Sequence, residues 1–133
     1  MTGSPPEAPA GLDVLVVDDN HDSAEMLQVL LGMLGHNVSV AHTGRSAIES
    51  VEAACPHVVL LDIGLPDMSG YDVAREIRAS HPASVRLIAL TGWGQDEVGT
   101  RATDAGFDQH VTKPADPALL ERILNDVAAS IAR

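Results

Sequence analysis

The apolar residues of the chain follow two patterns that alternate along its length. Short runs rich in Val, Leu and Ile predict strands, and they fall at residues 12–17, 38–41, 58–61, 85–90 and, more weakly, 110–112. Three of these runs contain almost no polar residue. Such runs are typical of parallel strands that helices cover on both faces.

Between the runs, apolar residues at helical spacing predict helices at residues 22–34, 45–54, 71–79, 97–105 and 117–129. Gly35 follows the first helix as a stop signal, and Asp116 before Pro117 marks the clearest helix start. The first helix is predicted to be amphipathic, with Met26, Leu27, Leu30, Met33 and Leu34 on one face. Strict alternation of strands and helices predicts an α/β domain with a parallel sheet and right-handed crossovers. In such a fold, ligands bind beyond the carboxyl ends of the strands.

Length and charge restrict the classes of protein that remain. The chain has 133 residues, of which 45% are apolar, so it is predicted to form one globular domain. Its formal net charge of −11 disfavours direct nucleic-acid binding and favours cations or basic protein surfaces as partners. No run of about 18 apolar residues is present, so no membrane span is predicted. Residues 1–11 are rich in Pro and Gly and predict a disordered leader, followed by the domain at 12–133.

Several residues receive structural interpretations. The single cysteine, Cys55, permits no internal disulfide and is compatible with a reducing compartment. Cys55, Met26 and Met33 are predicted to pack in or near the core. Five histidines without metal-ligand spacing are predicted to have surface or capping roles, namely His21, His36, His42, His57 and His81.

Polar residues follow four of the predicted strands directly. Asp18 and Asp19 follow the first strand, Asp62 the third, Thr91 the fourth and Lys113 the fifth. Crowded carboxylates suit a hard cation such as Mg²⁺, which accepts carboxylate and phosphate oxygens. A carboxylate flanked by a cation, an ammonium and a hydroxyl can accept a phosphoryl group, because those neighbours offset the developing negative charge. Lys113 is the only lysine of the chain, and an ammonium fits a phosphoryl group as a point charge.

The ordered motifs at these strand ends resemble the receiver domain of bacterial two-component response regulators over nearly the whole chain from residue 12. They are VVDD at 16–19, LLDIGLP at 60–66 with SG at 69–70, ALTG at 89–92 and TKP at 112–114. The resemblance implies a flavodoxin-like (βα)5 fold, a doubly wound five-stranded parallel sheet with strand order 2-1-3-4-5. It also implies a switch that catalyses its own phosphorylation and dephosphorylation, not a turnover enzyme.

The resemblance assigns a role to each residue of the site. Asp62 is the expected phosphoacceptor, and its donor is a histidine kinase or a histidine phosphotransfer protein. The expected Mg²⁺ ligands, with Mn²⁺ as an alternative ion, are Asp19, Asp62 and the Gly64 carbonyl directly and Asp18 through water. Thr91 and Lys113 are expected to contact the phosphoryl oxygens.

The resemblance also implies a conformational switch. Thr91 is expected to move toward the phosphoryl group, together with His110, which occupies a position more often held by Tyr or Phe. These movements repack the face formed by the fourth helix, the fifth strand and the fifth helix, where a downstream protein binds. The peptide bond before Pro114 is expected to be cis. Trp93 is expected to lie over the site as a fluorescence reporter.

Other functions remain as alternatives on the sequence alone. A haloacid-dehalogenase-type phosphatase uses similar residues, but its D-x-D motif is absent because Ile63 and Gly64 follow Asp62. A flavodoxin-like cofactor module needs a hydroxyl-rich phosphate loop where this chain has the acidic segment 19–22. A receiver-like scaffold that works without phosphorylation is a further alternative. A stand-alone cytoplasmic regulator and the receiver of a hybrid kinase fit the sequence equally well.

Overall fold

A computed structural model describes residues 11–81, 84–92, 103–113 and 115–131. Four helices and five strands are delimited within them: β1 (Asp13–Val17), α1 (His21–Met33), β2 (Asn37–Ala41), α2 (Gly44–Ala54), β3 (Val58–Asp62), α3 (Gly70–Ser80), β4 (Arg86–Thr91), β5 (Gln109–Thr112) and the C-terminal helix (Pro117–Ile131). Of the helix predicted at 97–105, residues 103–105 are described and are helical, and the remainder lies outside the described part. The predicted leader lies outside it too, apart from Gly11.

The five strands form one parallel sheet in the order β2-β1-β3-β4-β5, as predicted. Strand order reverses between β1 and β3, where the chain has crossed from one edge of the sheet to its centre. The register pairs Val17 of β1 with Leu61 of β3, which places Asp18 and Asp62 side by side just beyond that pair. The switch point therefore carries two of the predicted site residues.

Side chains that alternate along the central strands build two apolar layers. Leu15 and Val17 face α2 and α3, whereas Val14 and Val16 face α1 and the C-terminal helix. Every residue of β3 is buried, which explains its uninterrupted apolar composition up to Asp62.

Local signals in the sequence account for the helix ends. The Asn20, Thr43 and Ser69 side chains cap α1, α2 and α3, and Asp116 accepts the Ala118 N–H at the start of the C-terminal helix. Gly35 has a φ of +98° just after α1, as expected of a helix stop. No helix in the described ranges has the length and apolar composition needed to cross a bilayer.

The predicted burial of Met26, Met33 and Cys55 is wrong. Met26 is 68% exposed and Met33 is 80% exposed, because α1 packs on the sheet through Ala24 and Leu31 and its other faces point outward. Cys55 is exposed and ends α2 with a left-handed φ of 41°.

Two histidines have the predicted capping roles at the opposite end of the sheet. His36 Nδ1 accepts the Leu12 N–H at 3.1 Å, and His57 Nδ1 accepts the Asp13 N–H at 2.9 Å. Both bonds require an unprotonated Nδ1. They satisfy amide groups at the start of β1.

Candidate functional site

The loop between β1 and α1 carries the first two carboxylates. Asp18 is completely buried, and its Oδ1 accepts the Asn20 N–H at 3.0 Å. Asp19 is exposed. The Asn20 side chain in turn caps α1 through the Ser23 N–H, so the loop is held by bonds at both ends.

Asp62 is the last residue of β3 and is only 8% exposed. Its Oδ1 accepts the Gly64 N–H at 3.1 Å, and the loop beyond it is closed by a bond from the Gly70 N–H to the Ile63 carbonyl at 2.8 Å. A Cβ at Gly70 would lie 2.7 Å from Ile63 Cα, so glycine is required for this close approach. The result is a tight loop that fixes the direction of the Asp62 carboxylate.

Lys113 directly follows β5, and its side chain reaches past the end of β4 to the two buried carboxylates. Its N–H extends the pairing of β5 with β4 by a 2.8 Å bond to the Thr91 carbonyl. Its Nζ lies 2.9 Å from Asp62 Oδ2 and 3.2 Å from Asp18 Oδ2. The only lysine of the chain therefore bridges the carboxylates at the ends of β1 and β3.

Burial and charge act in opposite directions on these groups. Burial raises the pKa of Asp62 above its usual value, and the hydrogen bonds from Lys113 and from the Gly64 N–H offset only part of that increase. Burial by itself would lower the pKa of Lys113, but its hydrogen bonds and charge pairing with Asp62 and Asp18 outweigh that and raise it. Lys113 consequently remains an ammonium at neutral pH.

Asp18, Asp19 and Asp62 form an acidic cluster suited to a cation. One carboxylate oxygen from each lies within 4.8 Å of the others. Asp18 Oδ2 is buried, and its contact among the described residues is the Lys113 ammonium, which it shares with Asp62. Two buried carboxylates therefore face one positive charge, and a cation would offset the remaining negative charge. Three hard oxygen donors fit Mg²⁺, which keeps several of its water ligands in proteins, and the exposure of Asp19 leaves one side of the cluster open to solvent.

Thr91 and His110, the two residues of the expected conformational switch, form no hydrogen bond or ion pair with the acidic cluster within the described part of the chain. Thr91 is 2% exposed at the end of β4, and its hydroxyl points to the Val111 carbonyl of β5 at a long 3.4 Å. His110 is exposed on β5, three residues before Lys113. Trp93 and Pro114 lie outside the described residues, and with them the expected cis peptide.

A cleft opens beside the cluster on the side of α1. Its volume is about 360 Å³, and Lys113 and Asp18 lie at its polar end. The remaining lining residues are Ser23, Met26, Leu27, Leu90 and Ala115. The acidic cluster can therefore be approached from outside next to the exposed Met26 side chain.

Two residues that contact the loops of the site were missed from the sequence. His42 Nδ1 lies 3.0 Å from the Asp18 carbonyl oxygen, although His42 was assigned only a surface or capping role. Asp67 accepts the first two N–H groups of α2. His42 directly follows β2, so the rule that strand carboxyl ends share one edge could have identified it. Nothing in the sequence signals the partner of Asp67.

Taken together, the fold and the cluster define a doubly wound α/β domain with an acidic pocket and a lysine at its switch point. Residues 14–125 match the family described as the response regulator receiver domain, and the chain belongs to that family. Receiver domains are signalling switches that bind Mg²⁺ in an acidic pocket, and Asp18, Asp19 and Asp62 form such a cluster here.

One relative and two solved structures illustrate the match. The transcriptional regulatory protein KdpE of Mycobacterium tuberculosis is 41% identical over 101 residues, which are 76% of this chain but only 44% of KdpE. The receiver domain of a response regulator from Methylobacillus flagellatus is 30% identical, with a TM-score of 0.80 over 88% of this chain and 98% of that one. The fold is also that of the Saccharomyces cerevisiae Ssk1 receiver domain in complex with the histidine phosphotransfer protein Ypd1, at 23% identity, a TM-score of 0.87 and 93% of each chain.

Proposed function

We propose that this chain is a phosphorylation-dependent switch in a two-component phosphorelay, with Asp62 as the phosphoacceptor. The observation that carries the proposal is the position of Lys113 Nζ, 2.9 Å from Asp62 Oδ2, beside two further carboxylates. A structural ion pair would need no such excess of negative charge. A site that binds a divalent cation and a phosphoryl group would need it.

Transfer exchanges one bond to phosphorus for another. The P–N bond to the donor imidazole breaks, a P–O bond to an Asp62 carboxylate oxygen forms, and the imidazole takes up a proton as it leaves. Asp18, Asp19, Asp62 and the Gly64 carbonyl would hold Mg²⁺, which offsets phosphoryl charge during the transfer. Lys113 is placed to exchange its bond to Asp62 for one to a phosphoryl oxygen, and the Gly64 N–H keeps the carboxylate oriented.

Thr91 would carry the signal away from the site. Its hydroxyl donates a long hydrogen bond to the Val111 carbonyl. A phosphoryl oxygen on Asp62 would be a stronger acceptor because it is charged. Exchange of that bond releases a backbone group of β5, the strand that carries His110. β5 and the C-terminal helix would then present an altered face to a downstream protein.

The donor is proposed to be a histidine kinase or a histidine phosphotransfer protein. The cleft beside Lys113 leaves the acidic cluster accessible from the side of α1. The formal charge of −11 favours a donor with a basic surface and disfavours direct contact with nucleic acid.

Intact mass tests the phosphoacceptor assignment. Wild type and Asp62→Asn are incubated with acetyl phosphate, with Mg²⁺ or with a chelator. We expect one phosphoryl group to be gained by the wild type with Mg²⁺ and none by Asp62→Asn, which keeps the side-chain shape but lacks the nucleophilic carboxylate. Asp72→Asn removes an exposed carboxylate of α3 and should gain the group like the wild type.

Two results would contradict the proposal. The first is a phosphoryl group on Asp62→Asn, which would place the acceptor elsewhere. The second is a wild type that gains none from acetyl phosphate or from a phosphorylated histidine phosphotransfer protein, which would favour a scaffold that works without phosphorylation.

A further inference from the structure

His42, which directly follows β2, and the first two N–H groups of α2 contact the loops that carry the proposed metal ligands. We call His42, the N–H groups of Gly44 and Arg45, and the Asp67 carboxylate that accepts from them the β2–α2 brace. We infer that the β2–α2 brace sets the separation of those two loops, and that His42 and Asp67 are positioning residues for Mg²⁺ binding. The inference rests on the metal site proposed above.

His42 joins the brace to the loop of Asp18 and Asp19. Its Nδ1 lies 3.0 Å from the Asp18 carbonyl oxygen, and because a carbonyl can only accept, this bond requires the proton on Nδ1. The ring also stacks on His21 with centroids 3.7 Å apart and planes 12° from parallel. His21 is the first residue of α1. His42 therefore contacts this loop at the backbone of Asp18 and again at His21, two residues after Asp19.

Asp67 joins the brace to the loop of Asp62 and Gly64. Its carboxylate accepts the Gly44 N–H at 2.8 Å and the Arg45 N–H at 3.0 Å. Asp67 belongs to the short loop that is closed by the pairing of Gly64 with Ser69. Its two bonds to the start of α2 lower the pKa of this exposed side chain, so it is an anion at neutral pH.

The role of Asp67 is distinct from that of an ordinary helix cap. Thr43 already caps α2 through a reciprocal pair of bonds with Ser46. Asp67 adds bonds to the two preceding N–H groups from 22 and 23 residues away along the chain. A local cap fixes only its own helix, whereas this long-range pair fixes the distance between α2 and the loop after Asp62.

The two contacts form a continuous path across one side of the acidic cluster. It runs from the Asp18 carbonyl through His42 and the backbone of Gly44 to Asp67 and the loop of Gly64. The carboxylate oxygens of Asp18, Asp19 and Asp62 lie within 4.8 Å of one another. To share one Mg²⁺ they must be held close together, because each ligand oxygen lies only about 2.1 Å from the ion. Groups that orient metal ligands in this way contribute substantially to metal affinity.

Mg²⁺ titrations followed by calorimetry test the inference on wild type, Asp67→Ala, His42→Ala and the double variant. We expect each single substitution to weaken Mg²⁺ binding about tenfold, the lower end of the range for residues that orient metal ligands. Since both act on one separation, the double variant should lose less than the product of the single losses. Thr43→Ala is the matched control, because it removes a cap from the same helix and leaves the Asp67 bonds in place.

A second readout needs no metal. In the metal-free protein, Asp67→Ala should shift the amide resonance of Gly64, and Thr43→Ala should leave it in place. If Asp67→Ala does not fold, Asp67→Asn replaces it, and with one acceptor oxygen it should show a smaller loss of Mg²⁺ affinity in the same direction.

The outcomes separate the brace from the metal site itself. Equal losses of affinity in Thr43→Ala and Asp67→Ala would reduce the effect to helix stability and overturn the inference. Unchanged affinity in Asp67→Ala and His42→Ala, with normal binding by the wild type, would also overturn it. A wild type that binds no Mg²⁺ would overturn the proposed metal site, and the inference with it.

Discussion

Lys113 is held by two buried carboxylates that would otherwise repel each other. Asp18 and Asp62 are 0% and 8% exposed, and the Lys113 ammonium lies within 3.2 Å of both. We expect Lys113→Ala to lower the free energy of unfolding by about 1–2 kcal/mol without Mg²⁺, a value reduced for the partial exposure of the lysine. Thermal unfolding with and without Mg²⁺ checks this, because the ion should then stabilise the variant more than the wild type.

Arg75→Ala is the control for Lys113→Ala. It breaks an ion pair with Asp72 in which both side chains are 57% exposed, so it should cost well under about 1 kcal/mol and leave the Mg²⁺ effect unchanged. A Lys113→Ala variant with the same Mg²⁺ stabilisation as the wild type would show that the ammonium does not compete with a cation for these carboxylates.

His36 gives the fold a dependence on pH at the end of the sheet remote from the site. Burial lowers the pKa of His36, and attraction to Glu121 offsets only part of that effect. As the pH falls below about 6.5, the unfolded chain takes up a proton that the folded chain resists, so the free energy of unfolding decreases. Chemical denaturation at several pH values should show a shallower decrease for His36→Asn.

His36→Asn isolates the effect of the ionisable ring because Asn can replace His36 as the hydrogen-bond acceptor. Its Oδ1 can accept the Leu12 N–H as Nδ1 of His36 does, but it has no proton to gain in this range. His110→Asn removes an exposed histidine and should retain the steeper decrease of the wild type. Parallel pH curves for wild type and His36→Asn would assign the acid sensitivity to other groups.

The loop between β3 and α3 depends on a glycine that the backbone leaves no room to replace. A Cβ at Gly70 would lie 2.7 Å from Ile63 Cα, whereas a Cβ at Gly32 in α1 has no neighbour within 4 Å. We expect Gly70→Ala to cost about 1–3 kcal/mol of unfolding free energy because backbone must shift. Gly32→Ala should gain about 0.5–1 kcal/mol from helix propensity.

Chemical denaturation of both variants checks these signs. Gly70→Ala should also weaken Mg²⁺ binding, since the backbone that a methyl group would displace is that of Asp62 and Ile63. Stability and Mg²⁺ affinity in Gly70→Ala equal to those of the wild type would mean that the loop accommodates a methyl group without moving.

The strands were predictable where both faces of the sheet are covered. β1, β3 and β4 consist of near-continuous apolar residues, and the polar residues that end them could be recognised for that reason. The buried face of α1 was not predictable, because its Leu and Met residues form an apolar face wider than the part that packs on the sheet. Only packing selects Ala24 and Leu31 for burial and leaves Met26 and Met33 exposed. The Asp67 bonds to α2 depend on two loops meeting in space, which no local pattern encodes.

The residues of the candidate site were predictable from the sequence, whereas the residues that hold its loops were not. Asp18, Asp62, Thr91 and Lys113 stand at strand ends, so the parallel topology alone brings them to one edge of the sheet. His42 and Asp67 affect that edge through loops, and their contacts exist only once the register and the loop lengths are set. Sequence motifs therefore predicted which residues gather at the candidate site better than they predicted the residues that hold its loops.

The proposed phosphorylation of Asp62 would have a defined physical route to the β5 edge of the sheet. Thr91 ends β4 and its hydroxyl is bonded to Val111 of β5, which lies at the edge of the sheet opposite β2. A phosphoryl group that attracts this hydroxyl should perturb β5 and leave β2 unchanged. We expect beryllium trifluoride with Mg²⁺, as a phosphoryl mimic, to shift the amide resonances of residues 109–112 and the ring resonances of His110.

Substitutions at Thr91 distinguish this route from a general tightening of the domain. Thr91→Ser keeps the hydroxyl and should retain the β5 shifts. Thr91→Ala should still bind the mimic at Asp62 but lose the β5 shifts, because it has no hydroxyl that could move from the Val111 carbonyl to the mimic. Asp62→Asn should show no shifts at all. β5 shifts in Thr91→Ala equal to those of the wild type, or shifts in β2 as large as those in β5, would show that the signal leaves the site by another path. Unchanged ring resonances of His110 would show that this residue takes no part in the switch.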